Sequence, residues 1–179
     1  MHDYTVRRSK RAKKVRITVR TDATVMVTIP HSAILTQATQ FVGEKQKWIE
    51  NKLDLMRKRI EKREELRIPR GSKKDFDEKK AIALAFVKRR LEHFNRKYHF
   101  SWNKVYVKNL KTRWGSCSAQ KNLNFSYKII YLPKSLADYL IVHELCHLKE
   151  FNHSDQFWRL VGKAVPQYLE LRSELRGIE

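Results

Sequence analysis

Residues 135–150 call for a helix buried at the centre of a domain. Leu136, Tyr139, Leu140, Ile141, Val142, Leu145, Cys146 and Leu148 spread apolar side chains round nearly the whole circumference of such a helix. A helix that is apolar all round packs inside a fold rather than on its surface. Into this segment are set His143, Glu144 and His147. Positions i and i+4 lie one above the other on a helix face, so the two imidazoles point the same way with Glu144 beside them. Burying two His and a Glu without a shared partner is costly, which favours an ion between the rings over separate hydrogen bonds to neighbours.

His143-Glu144-Leu145-Cys146-His147 is the H-E-x-x-H arrangement of zinc-dependent hydrolases. There the metal activates a water molecule as nucleophile and the Glu handles its proton. His153 follows six residues later, where a tetrahedral site needs its third protein ligand.

Composition narrows the setting. No run of apolar residues is long enough to span a membrane, and the basic N-terminus has no apolar core of a secretory signal. The chain has two cysteines, Cys117 and Cys146, too few for a disulfide framework, so a reducing cytoplasm is the expected compartment. The formal net charge is +20. Residues 1–74 hold 20 Lys/Arg against 8 Asp/Glu and residues 75–179 hold 19 against 11. Such a balance attracts nucleic acid, nucleotides or other anionic partners, although Lys and Arg interleaved with Glu also make ordinary solvated helix faces. A nucleic-acid platform with stacking would want exposed aromatics among the cations. Tyr4 and Trp48 are the evident candidates, and Trp48 reads better as core.

Periodicity divides the chain in two. Val15, Ile17 and Val19, then Val25, Val27 and Ile29, alternate with polar residues about a short link and predict a β-hairpin. Tyr4 and Val6 begin an earlier strand. Ser32 is the expected cap of a helical stretch from about Leu35 to Leu66, interrupted near Gly43. Pro69-Arg70-Gly71-Ser72-Lys73-Lys74 reads as a linker, placing a basic β-hairpin and helix unit at 1–72 and a second unit at 73–179. In the second unit, residues 77–98 predict an amphipathic helix burying Ile82, Leu84, Phe86, Val87, Leu91 and Phe94. Strands are expected around Val105–Val107, Arg113–Ser116, Leu123–Ser126 and Ile129–Leu132. After the motif helix come a helix capped by Ser154 and ending before Pro166, and a last helix over 167–176. The class is α+β: a small antiparallel N-terminal sheet with a long helix, then helix, small sheet, motif helix and closing helices.

Two segments carry a family resemblance. Thr112-Arg113-Trp114-Gly115-Ser116-Cys117-Ser118 precedes the motif, and His143-Glu144-Leu145-Cys146-His147-Leu148 leads to Asn152-His153-Ser154 and Phe157-Trp158. Together with Arg8-Ser9-Lys10-Arg11 and the Glu44–Trp48 helix, they resemble the bacterial YgjP-like metallopeptidases, relatives of the SprT-like and minimal-gluzincin zinc proteins. The resemblance implies a zincin-type fold, one zinc per chain held by His143, His147 and His153, and Glu144 as general base.

Other ligand geometries remain to be weighed. The His spacing matches that of metzincins, but their Gly is replaced by Glu150, which resists a left-handed turn, and no Met follows Met56. The chain is therefore not a metzincin. In gluzincins a downstream Glu is the third ligand, and Glu170 or Glu174 would serve; His153 ranks ahead because a short excursion from the helix end returns it to the metal. Arg113 and Ser116 are candidate substrate residues, or parts of a packed turn beneath the motif helix. Asn152 is a candidate orienting residue or a turn former. Tyr127, Tyr131 and Tyr139 read as packing residues before transition-state donors, and Cys146 as a small buried residue. His2, His31, His93 and His99 lack ligand spacing and read as surface residues.

The leading functional expectation is a zinc-dependent hydrolase acting on peptides or proteins. A metal-dependent phosphohydrolase acting on nucleotides or other phosphate esters is the alternative on the same site. A basic nucleic-acid-associated module with a structural or vestigial zinc site is the alternative from another class. Oligomeric state is not legible in the sequence.

Overall fold

The computed structural model describes residues 3–178, so His2 lies outside the described residues. The chain divides into two compact units, Met1–Lys62 and Arg63–Glu179. The boundary read from the sequence falls later, after residue 72. The intervening segment is tied into the second unit: the Gly71 carbonyl accepts from Asn109 Nδ2 at 3.0 Å, and Lys128 Nζ donates to the Arg70 carbonyl at 2.9 Å. Gly71 stands at φ +97°, and a Cβ there would lie 2.8 Å from both Asn109 and Lys128, so glycine permits this close approach.

The first unit contains β1 (Thr5–Ser9), β2 (Arg16–Val19), β3 (Val25–Pro30), α1 (Leu35–Glu44) and all of α2 (Gln46–Glu65) but its end from Arg63 onward. The hairpin of β2 and β3 is antiparallel as expected, but β1 pairs with β3 in parallel, so the sheet is mixed, in the order β1-β3-β2. Residues 10–15 carry the chain from one edge of the sheet to the other, which leaves β1 running beside β3 in the same direction. Val25, Val27 and Ile29 form the apolar face of the central strand and pack with Ala38, Val42, Ile49 and Leu53. The helical stretch breaks at Lys45, two residues beyond Gly43, and its N-cap is Ile34 with no side-chain cap; Ser32 takes no part.

The second unit opens with α3 (Lys73–Tyr98), whose Ser72 Oγ accepts from the Asp75 amide as an N-cap. Ala83, Val87 and Leu91, four residues apart, form its buried stripe. Ile82, expected inside, is 57% exposed because it lies one position off that stripe. Next come β4 (Val105–Lys108), β5 (Gly115–Cys117) and β6 (Leu123–Ser126), in the order β4-β6-β5, with β4 parallel and β5 antiparallel to β6. The expected strand over Ile129–Leu132 is instead a 3₁₀ turn, Tyr127–Tyr131, capped by Ser126 Oγ at the Lys128 amide. The tyrosines at its two ends both donate to Asp75, which pulls the segment into a turn.

The motif helix α4 (Lys134–Cys146) is buried on nearly every side, as its composition requires, and α5 (Asp155–Ala164) and α6 (Tyr168–Arg176) close the unit. Ser154 caps α5 through the Phe157 amide at 3.3 Å. The α+β class read from the sequence holds. No helix among the described residues is long and apolar enough to cross a membrane.

One polar clamp fixes α4 against α3. Arg90 donates to both Asp138 carboxylate oxygens, at 2.6 and 2.8 Å, with both side chains about 15% exposed. Asp138→Ala leaves a largely buried guanidinium without its bidentate partner. Thermal or denaturant unfolding is expected to show a loss of about 2–3 kcal/mol.

Candidate metal centre

The centre starts from the last turn of α4. His143 and Glu144 lie within the helix, while His147 is its C-cap residue, still in right-handed helical conformation. The chain then leaves through the turn residues Leu148–Glu150, whose amides donate to the carbonyls of Leu145 and Cys146. Glu150 is not among the described residues at positive φ, so no left-handed turn forms where metzincins have glycine. Asn152 Oδ1 accepts from the Ser154 amide at 3.2 Å and turns the chain into α5. This short excursion swings His153 back over the helix end.

The three imidazoles converge. His143 Nε2 lies 3.3 Å from His147 Nε2 and 3.1 Å from His153 Nε2, and the three ligand nitrogens all lie within 4.8 Å of one another. Ligands about 2.0–2.1 Å from a tetrahedral zinc stand about 3.3 Å apart, so the donor set fits that ion. The Glu150 carbonyl, 2.9 Å from His147 Nδ1, can only accept. The proton of His147 therefore sits on Nδ1, leaving the Nε2 lone pair for a metal. Burial depresses the basicity of all three rings, that of His143 down to about 3, with the neighbouring rings adding to the effect at His143 and His153. All three are thereby held as neutral imidazoles, the form that binds a cation.

Glu144 is 5% exposed, and burial pushes its carboxyl up to about 8, opposed by the charge of Arg113. A divalent cation between the imidazoles would favour the carboxylate further. The backbone of β5 supports this side chain. A Cβ on Gly115 would lie 2.7–2.9 Å from the Glu144 carboxylate and its Cγ, so a glycine is what lets the strand lie flat against the acid. Neighbouring Trp114 is buried and its carbonyl accepts from the Ser126 amide at 2.7 Å. The Arg-Trp-Gly-Ser segment thus packs under Glu144, a role its glycine and tryptophan signalled.

A cavity of about 280 Å³ opens over the centre. Arg113, Gly115, Tyr139, His143, Glu144 and His153 line it, so Arg113 is brought to the site whereas Ser116 and Asn152 are not among its lining residues. Glu170 and Glu174, the alternative ligands, are exposed on α6 and outside the imidazole group. Cys146 is buried and Cys117 half-buried; burial raises both thiols, to about 12 and about 11, and neither joins the group.

The sequence reading missed the opposite wall. Trp158 stacks between His153, at 5.5 Å, and Tyr168, at 5.3 Å, and the Arg172 guanidinium lies 4.4 Å from the Trp158 ring centre. Phe157 stacks on His147 at 4.5 Å. Arg172 and Arg176, one turn apart on α6, therefore also line the cavity. Their i, i+4 spacing was the available signal, but only tertiary packing turns that face toward the imidazole cluster.

No curated protein matches the chain in sequence. Among solved structures, the zymogen of the Pyrococcus abyssi metallopeptidase abylysin is similar over 50% of this chain and 90% of its own, at 26% identity and a TM-score of 0.46. That of the Methanocaldococcus jannaschii metallopeptidase jannalysin is similar over 50% and 95%, at 21% identity and a TM-score of 0.42. The profile of the YgjP-like metallopeptidase domain matches residues 74–177, the stretch that contains every residue of the imidazole group and the cavity. With more than half of its length inside that match, the chain belongs to the YgjP-like metallopeptidase family.

Proposed function

We propose that this protein hydrolyses peptide bonds with one zinc ion held by His143, His147 and His153 and with Glu144 as general base. The observation that carries the reading is the convergence of three imidazole nitrogens beside a buried carboxyl, at an open cavity that His143, Glu144 and His153 line. Zinc, when bound, supplies a Lewis acid that acidifies water and polarises the scissile carbonyl. The chain's own groups do the rest. Glu144, held against the Gly115 backbone, accepts the proton of the attacking water and returns it to the leaving amine. The Glu150 carbonyl keeps His147 in the tautomer that binds metal. Arg113, beside Glu144, binds substrate or the charge that develops on its carbonyl oxygen.

A second reading has one specific observation in its favour. Arg113, Arg172 and Arg176 all line the cavity, and the one carboxyl group among its lining residues is Glu144, on which the charge of Arg113 acts. A cavity so charged suits a phosphate ester or nucleotide on the same catalytic groups. A structural zinc site is disfavoured: such sites fill four positions with protein ligands, and neither cysteine reaches the group. The two free thiols support a reducing, cytoplasmic compartment.

Elemental mass spectrometry of protein purified without chelator is expected to find about one zinc per chain, and His153→Ala to lose most of it. Absence of zinc even after incubation with the metal would sink the hydrolase reading. Glu144→Gln is expected to keep the metal and lower turnover of a quenched peptide library by at least about a hundredfold. Hydrolysis of nucleoside triphosphates in place of peptides, lost in the same variant, would establish the second reading. Gly115→Ala forces the Glu144 carboxylate aside; zinc content is expected to stay unchanged while turnover falls about a hundredfold, measured on the same substrate.

A further inference from the structure

The N-terminal sheet has two faces of opposite chemistry. Val25, Val27 and Ile29 point into the core of their unit, so the alternate residues of β3, Met26 and Thr28, point the other way. The register sets Arg7 and Arg16 on either side of Thr28, and Thr5 and Thr18 on either side of Met26. Arg20 follows beyond the end of β2, and residues 10–15 bring Arg11, Lys13 and Lys14 to the same side. Together they enclose a shallow concavity of about 690 Å³. Six cations line it and no carboxylate does. Of the six, Arg20 has an acid near it, Asp22, whose carboxylate its charge helps to stabilise.

We propose that this face binds the phosphate backbone of double-stranded nucleic acid, without reading its sequence. Charge density argues for the partner. Arg16 and Arg20 lie about 13 Å apart along the strand direction, and Arg7 and Arg16 about 10 Å apart across it. Six positive charges on so small an area call for a partner of comparable density, and a duplex carries one negative charge per about 1.7 Å of its axis. Ser9, Thr18 and Thr28 place hydroxyl groups among the cations, the side chains that accompany Arg and Lys at phosphates.

The same face lacks what other partners require. It carries no aromatic ring on which a single strand would stack. Its large apolar side chain, Met26, is half-buried with its sulfur 3.3 Å from the Arg20 guanidinium, leaving nothing to insert into a membrane. The metal centre plays no part in the binding. The face concentrates the protein on its polyanion, whatever bond the centre cleaves.

The test uses the full-length protein and a labelled 20-base-pair DNA duplex, with binding followed by fluorescence anisotropy from 50 to 300 mM salt. Affinity is expected to fall steeply with salt, each phosphate contact adding about 0.9 to the slope of log K against log salt. The variant Lys13→Ala/Arg16→Ala/Arg20→Ala is expected to bind at least about tenfold more weakly with a slope lower by up to about 3. Glu144→Gln is expected to bind like the wild type. The control Lys88→Ala/Arg89→Ala/Lys104→Ala removes the same charge from exposed positions of the second unit. Circular dichroism checks that both triple variants are folded. An equal loss in the control would overturn the proposal in favour of bulk charge. So would binding as tight to polyglutamate or to phosphatidylserine vesicles, or tighter binding to the single strand.

Discussion

The removal of the motif helix from water is the constraint on which the rest of the second unit depends. An amphipathic helix could carry H-E-x-x-H on its wet face, with its groups titrating as they do in solution. Here α4 is enclosed by apolar neighbours on nearly all sides, and the consequences are electrostatic. Burial holds the imidazoles neutral, which is the ligand form, and pushes the Glu144 carboxyl up against the opposing charge of Arg113. The same burial leaves His143 Nδ1 without a hydrogen-bond partner. Three neutral, converging Nε2 atoms and a buried acid together make a site whose cost is offset by binding a cation.

The surroundings of that helix divide the work between backbone and side chains. A three-residue strand at the edge of a small sheet meets Glu144 through a glycine, so the acid is fixed by main chain that cannot rotate away. On the other side, rings stack in series from His153 through Trp158 to Tyr168, with Arg172 against the indole. His153, on an exposed loop, is thereby held by aromatic packing rather than by a helix. Aromatic pairs are worth about 0.5–1.5 kcal/mol beyond their burial, enough to restrict a loop histidine to one orientation. Positive charge then gathers at the cavity because Arg113 and two residues of α6 arrive from different parts of the chain.

The N-terminal unit follows a separate logic. Its central strand buries one face and leaves the other to cations, a division set by period-2 alternation along β3. The parallel pairing of β1 decides which cations share that face, since a parallel partner sets Arg7 opposite Thr28 just as β2 sets Arg16 opposite it. Arg8, pointing to the opposite side, is spent on the carbonyls of His31 and Ala33 instead.

What was legible in the sequence was whatever depends on local periodicity and chemistry. The buried helix, the paired His143 and His147, the Ser154 cap and the β2–β3 hairpin follow from spacing alone, because a helix or strand repeats its environment at a fixed interval. The linear pattern failed where two distant segments compete for one residue. Ile129–Leu132 reads as a strand, but Asp75, over fifty residues away, draws both flanking tyrosines into a turn. Ile82 reads as core until the stripe of Ala83, Val87 and Leu91 fixes the rotation of α3. Arg172 and Arg176 show only an i, i+4 spacing in the sequence, common to many solvated helix faces, yet both line the cavity. The sequence determined which groups could bind a metal, since ligand chemistry belongs to the residue. Tertiary structure decided which groups face the imidazole cluster, since facing depends on how helices rotate and strands pair once their apolar stripes are buried.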